Sequence, residues 1–111
     1  MVLVGRKRGS GYSRKIYGHD LRKPLPWADG TFESVYSAHV LEHMYRDDAD
    51  KLIHECFRVL RPGGVLAVWS AQPSPEFEGT MRNAGFHQVR TEEVPVARGV
   101  PDAVHLAVRP G

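Results

Sequence analysis

The chain is short of cysteine, of long apolar runs and, at its start, of negative charge, and each shortage excludes something. Cys56 is the single cysteine among 111 residues, so no disulfide closes within the chain. That agrees with a reducing compartment, and a cytoplasmic location is expected. No apolar stretch approaches the ~20 residues that a helix needs to span a bilayer. The opening MVLVGRKRGSG has too short an apolar stretch, on the wrong side of its charges, for a secretory signal. Asp20 is the one acidic residue before Pro24, against seven of the fifteen Lys and Arg residues. The remainder is acidic, and a basic arm on an acidic body could meet nucleic acid, an anionic substrate or another copy. No aromatic stacking pattern accompanies those charges, so a solvated leader over residues 1–19 is expected rather than a nucleic-acid arm.

What is present is ordinary for a globular domain: 41% hydrophobic and 25% charged residues. The length suits one layered unit and falls short of the roughly 200 residues of an enzyme with a large parallel sheet. Pro24, Pro26, Asp29 and Gly30 predict an extended loop with Leu25 and Trp27 turned inward, before a strand over Phe32 to Ser37. A short helix from His39 to Tyr45 should follow, then a longer one capped by Asp47 or Asp48 and running to about Leu60. Within that helix Cys56 shares a spacing with Ala49, Leu52, Ile53 and Leu60, which marks a packed thiol rather than a nucleophile. Pro62, Gly63 and Gly64 should stop the helix, and Val65 to Ser70 is a continuous apolar run, as in a strand covered on both faces. Ser74 and Pro75 predict the start of another helix, with Phe77, Met81 and Ala84 inward and Gly85 at its end. Two closing strands, near Gln88 to Val96 and Ala103 to Val108, should form an antiparallel hairpin around Gly99, Pro101 and Asp102. The element order predicts an α/β fold with a mixed sheet.

The phrases DL, PLPW, DGTFESVYSAHVLEH, ECFRVLRPGGVLAV and the later NAGF, in this order, resemble the C-terminal half of a class I S-adenosylmethionine-dependent methyltransferase of type 11. The resemblance covers roughly residues 17 to 109, so the chain divides into a leader, 1–19, and a partial methyltransferase domain, 20–111. It implies a truncated Rossmann-like half-sheet, mostly parallel, ending in an antiparallel hairpin. It implies S-adenosylmethionine as cofactor, with the methyl group passing to an acceptor that the sequence does not name. By the same resemblance Asp20 accepts a hydrogen bond from the adenine amine and Leu21 flanks the ring. Ser37 and Ala38 match a strand end that faces the cofactor, and His39 matches a position for a base or an orienting group. His43, one turn on, is expected to pack or cap. RVLRPGG identifies the fold without doing chemistry.

Two features of the family are absent from the sequence. There is no GxGxG turn, since Gly5, Gly9 and Gly11 have the wrong spacing, and no ribose-binding acid follows. Without a first strand beside Phe32 to Ser37 that edge would lie open. Self-association is the preferred expectation, ahead of a complementing chain or of Met1 to Val4 folding back onto the edge. A noncatalytic remnant that oligomerises or binds a partner is therefore the alternative to an enzyme. A minor one is a zinc hydrolase, because His39, Glu42 and His43 spell HxxEH; no metal is expected.

Overall fold

In the computed structural model, residues 2–6, 13–15, 24–38, 41, 44–71, 75–96 and 101–111 are described. The strands are β1 (Val2–Arg6), β2 (Ser13–Lys15), β3 (Phe32–Ala38), β4 (Leu60–Ser70), β5 (His87–Val94) and β6 (Asp102–Val108). Two helices, α1 (Arg46–Val59) and α2 (Pro75–Ala84), separate the later ones. The strands form one sheet in the order β2-β1-β3-β4-β6-β5. β3 and β4 are parallel, as the helical crossover between them requires, while every other neighbouring pair is antiparallel. Four of the six strands still point one way, because β1 and β6 are the two reversed ones. The α/β fold with its closing antiparallel hairpin is as the sequence implies.

The register places Val35, Ser37, Leu66, Val68, Ser70, Ala103, His105 and Ala107 on one side of the sheet, and all are buried there. Onto this side α1 lays Ala49, Leu52, Ile53, Cys56 and Val59, and α2 adds Met81. Each fully buried Leu or Ile contributes about 1.5–3 kcal/mol relative to exposure. Cys56 behaves as the spacing says: it is a buried free thiol, and burial pushes its pKa up to about 12, so it stays protonated and inert. Leu25 is buried and Trp27 half-buried against Phe32, with ring centroids 5.1 Å apart and nearly perpendicular.

Four local expectations change. Residues 2–6 and 13–15 of the expected leader are strands, and β1 runs antiparallel along β3, with Val2 opposite Ala38 and Arg6 opposite Ser34. The edge expected to be open is thus occupied from within, which removes the reason for seeking a second chain there. The outer strands discourage further pairing: β2 has three residues, and β5 carries exposed charge and a bulge at Gln88. Second, α1 is capped by the extended Tyr45 with no side-chain bond, and Asp47 and Asp48 lie inside the first turn, where they favour the positive helix end. Third, the helix stops at Val59 and β4 already begins at Leu60, so RPGG lies within the strand. Fourth, Asp102 opens β6 opposite Val94 instead of belonging to the turn. Most of the expected His39 to Tyr45 helix lies outside the described residues. Among the described residues no helix is long and apolar enough to cross a membrane.

The third change has a physical cause. A helix that passes straight into a strand leaves its last carbonyls without helical partners. Here Leu60 N–H bonds to Cys56, Gly30 N–H donates to the Arg58 carbonyl at 2.9 Å, and the Arg109 guanidinium donates to the carbonyls of Phe57, Arg58 and Leu60. Arg109 also lies 4.6 Å from the centre of the Phe57 ring. RPGG bulges between Phe32–Leu60 and Ser34–Val65, and its Gly63 N–H and Gly64 carbonyl pair with the Arg109 backbone. Gly63 has φ +82°, and a Cβ on Gly64 would lie 2.8 Å from the Arg61 carbonyl oxygen.

Replacing Arg109 with Ala should lower unfolding free energy by about 2 kcal/mol, because several helix-end carbonyls lose a charged donor together. Arg109→Lys should recover less than half, since one ammonium cannot reproduce the planar fork. Urea denaturation of the three proteins measures this.

Candidate functional site

In an open α/β sheet, ligands gather where parallel strands end at their carboxyl termini. Here those ends are Ser37 and Ala38 on β3 and Trp69 and Ser70 on β4. Ser37 is 1% exposed, and its Oγ has no hydrogen-bond partner among the described residues. A buried hydroxyl without a partner costs about 1–3 kcal/mol, so the position calls for an explanation beyond packing. Ala38 is half-buried and stands between Val2 and Trp69 in the sheet. Asp20, Leu21, His39 and His43 lie outside the described residues, so of the expected site residues the structure brings together Ser37 and Ala38. The HxxEH residues lie outside them as well. Among the described residues no group of three His, Cys, Asp or Glu side chains could hold a metal ion.

The orientation of β1 matters for the glycines near the start of the chain. Because β1 runs against β3, Arg6 emerges beside Ser34, toward the amino end of β3. β2 returns from there, with Ser13 opposite Arg6. Arg6 and Ser13, which flank the segment with Gly9 and Gly11, therefore both lie away from Ser37 and Ala38.

The PLPW loop is held by a clasp from α1. Arg58 donates to the carbonyls of Leu25, at 3.0 Å, and of Trp27, at 2.8 Å, while Glu55 accepts the Leu25 N–H at 2.7 Å. Arg58 and Glu55 also bond to each other, at 2.8 and 3.0 Å. The hydrogen bond from Arg58 holds the Glu55 carboxyl below the ordinary carboxylate range despite partial burial, and Glu55 and Asp29 in turn raise the Arg58 pKa. The clasp fixes the path of the segment that follows Asp20 and Leu21. This gives the family-like pairing of LPW with ECFR a physical meaning: two distant phrases meet as one hydrogen-bonded unit.

A second cluster has no counterpart in the sequence expectations. His105, fully buried in β6, has Nδ1 2.8 Å from Thr91 Oγ1 on β5 and Nε2 3.4 Å from Ser70 Oγ at the end of β4. Phe77 of α2 meets the imidazole at a ring separation of 5.7 Å, close to perpendicular. On the other side of the sheet, Trp69 Nε1 donates to the buried Asp102 carboxylate at 2.7 Å, and Tyr36 packs at right angles to Trp69, its phenol pKa raised by burial. No local pattern marks these groups, since their partners lie up to 35 residues apart. The available signal is subtler: Ser70 and His105 fall at strand positions whose alternation with Leu66, Val68 and Ala107 points them into the core.

Burial lowers the His105 pKa from its ordinary 6.5, and the nearby Glu78 carboxylate opposes that shift. Between the lowered value and 6.5 the unfolded chain binds a proton that the folded chain does not. Stability is therefore complete above pH 6.5 and should fall as pH drops from there through the folded value. Glu55, with its pKa lowered from 4.5, contributes in a separate window at more acid pH. Thermal melts across this range should show a loss near pH 6 that His105→Gln flattens; an unchanged slope in the variant would place the loss elsewhere.

The comparisons with known proteins follow the same geometry. The family model of the methyltransferase domain matches residues 2–68. A ubiquinone/menaquinone biosynthesis C-methyltransferase of Desulfotalea psychrophila is 48% identical over 73 residues, which is 66% of this chain and 28% of that protein. A probable S-adenosylmethionine-dependent methyltransferase of Mycolicibacterium smegmatis is 40% identical over 57 residues, 51% of this chain and 21% of that protein. The chain thus spans between a fifth and a third of the length of these curated relatives. Among solved structures, the Burkholderia thailandensis 1,6-didemethyltoxoflavin-N1-methyltransferase with bound S-adenosylhomocysteine superposes with a TM-score of 0.71 at 16% identity, over 86% of this chain and 50% of that one. The [4+2]-cyclase SpnF gives 0.64 at 19% identity, over 83% and 54%. These two likenesses establish the fold.

Proposed function

Because the chain belongs to the methyltransferase domain family, we propose that it binds S-adenosylmethionine at the carboxyl ends of β3 and β4 and presents the methyl group to an acceptor there. The observation that carries this reading is the orphan Ser37 hydroxyl, buried at the strand end where the fold gathers ligands. A buried hydroxyl both donates and accepts, so Ser37 Oγ suits the amino-acid end of such a cofactor, and the small Ala38 leaves room beside it. When bound, the cofactor would supply an electrophilic methyl group on a sulfonium. The chain's contribution is then to position and to exclude water: the α1 clasp holds the loop after Asp20 and Leu21, and β3 fixes Ser37 and Ala38 beside β4. Asp20 as the adenine acceptor, Leu21 against the ring and His39 beside the acceptor complete the proposed set.

One observation favours a second reading, a binding module without methyl transfer. Arg6 and Ser13, the described residues on either side of Gly9 and Gly11, lie toward the amino end of β3, away from Ser37. The same fold occurs in the [4+2]-cyclase SpnF, and one fold hosts different functions.

Titration calorimetry with S-adenosylmethionine and S-adenosylhomocysteine decides between them: binding supports the first reading, and no heat with no thermal shift at millimolar ligand sinks it. Ser37→Ala should weaken binding roughly tenfold through loss of one hydrogen bond in a buried site. The same variant should leave the free protein as stable or slightly more so, since it removes a hydroxyl buried without a partner.

A further inference from the structure

Both α1 and α2 lie on one face of the sheet, where they close the core. The register places Tyr36 of β3, Val65, Ala67 and Trp69 of β4, and Val104 and Leu106 of β6 on the opposite face. All six keep part of their surface exposed, Val65 the most at 37%, and none belongs to the core beneath the helices. Among the described residues no helix covers this face. A parallel pair with apolar residues on both sides is ordinarily covered on both, and a contiguous apolar patch of this kind marks an interaction surface. At its centre Tyr36 and Trp69 meet with ring centroids 6.4 Å apart and nearly perpendicular, the residue types that anchor interfaces. We propose that this face docks a second copy of the same chain, sheet against sheet.

Area and charge both favour a second copy as the occupant. Leaving out the short β2, the strands side by side offer a face of roughly 500 Å² at ordinary strand spacing. Two copies then cover about 1,000 Å² together, which is where specific interfaces begin, so a reversible dimer of micromolar affinity is expected. The two edges of the sheet differ in sign. β1 and β2 carry Arg6, Arg14 and Lys15 with no acid, whereas β5 carries Glu92 and Glu93 against Arg90. Glu92 stands opposite Val104, on the open side of the sheet, and its side chain is 59% exposed. A two-fold axis parallel to the strands reverses the strand order of one copy over the other, so the basic β2 edge of each lies over the acidic β5 edge of its partner. An axis across the strands would stack like charge on like. The favoured axis also brings the carboxyl ends of β3 and β4 of both copies to the same end of the pair, so the two candidate sites open side by side. Docking of this kind needs no bound cofactor.

Sedimentation equilibrium of the whole chain, without ligand and from about 1 to 200 µM, tests this. Expected is a monomer–dimer equilibrium that Leu106→Glu weakens roughly tenfold or more, because a charge is then buried without a partner. Val65→Lys, at the most exposed position of the face, should do the same while far-UV circular dichroism shows the fold intact. Replacing Glu92 and Glu93 together by Lys should weaken association as well, since both edges then carry one sign, and added salt should weaken it in the wild-type chain. In Trp27→Phe, Trp69 is the remaining tryptophan, and its fluorescence should become shielded from acrylamide as the dimer forms. A chain that stays monomeric across the range overturns the proposal, whether Trp69 is then shielded by another part of the same chain or open to the quencher and so left to a different partner. A dimer that both Leu106→Glu and Val65→Lys leave intact overturns it too, because the copies then meet elsewhere. A dimer weakened by those two variants but indifferent to salt and to the Glu92 and Glu93 reversal overturns the axis along the strands.

Discussion

The constraint on which the fold depends is the direct passage of α1 into β4. Val59 and Leu60 are completely buried, so the helix ends where no water can satisfy its last carbonyls. Residues from both ends of the sequence meet there: Gly30 from the loop before β3, and Arg109 from beyond β6. Through this junction the loop, the parallel pair and the closing hairpin are fixed to one another. The conspicuous glycines and proline of RPGG are the means by which β4 bulges around the crowded point and still pairs with β3.

A second layer of order follows from strand direction. β3 and β4 form the parallel pair, and the candidate site lies where both end, roofed on one side by α1 and α2. β1 fills the edge of β3 by hairpin logic, antiparallel and joined to β2 by a short connection. At the carboxyl ends of the parallel pair the described groups are Ser37 and Ala38 on β3 and Trp69 and Ser70 on β4.

Much of the core was legible in advance. The spacing of Ala49, Leu52, Ile53 and Cys56 gave α1 its buried face, and the run Val65 to Ser70 marked the central strand. Leu25 and Trp27 turned inward as the proline loop suggested. The start of the chain was legible only as the less favoured alternative, Met1 to Val4 folding back onto the edge, because a four-residue apolar segment followed by basic residues looks like a solvated arm until a strand edge is available to pair with it. The end of α1 near Leu60 was legible, but not what satisfies its last carbonyls, since one donor is a guanidinium 49 residues further on. Ser37 was legible from a phrase, whereas Ser70, Thr91 and His105 were not, since each looks like an unremarkable strand residue until the register aligns them.

The sequence by itself determined the family, the alternation of elements and the inward faces of the helices, because these depend on periodicity and on phrases that lie close together. Tertiary structure decided which strand covers β3, how the end of α1 is satisfied, and that the Ser37 hydroxyl has no partner among the described residues. Those outcomes rest on hydrogen bonds between groups distant in the chain, whose partners exist only once the sheet has set their register.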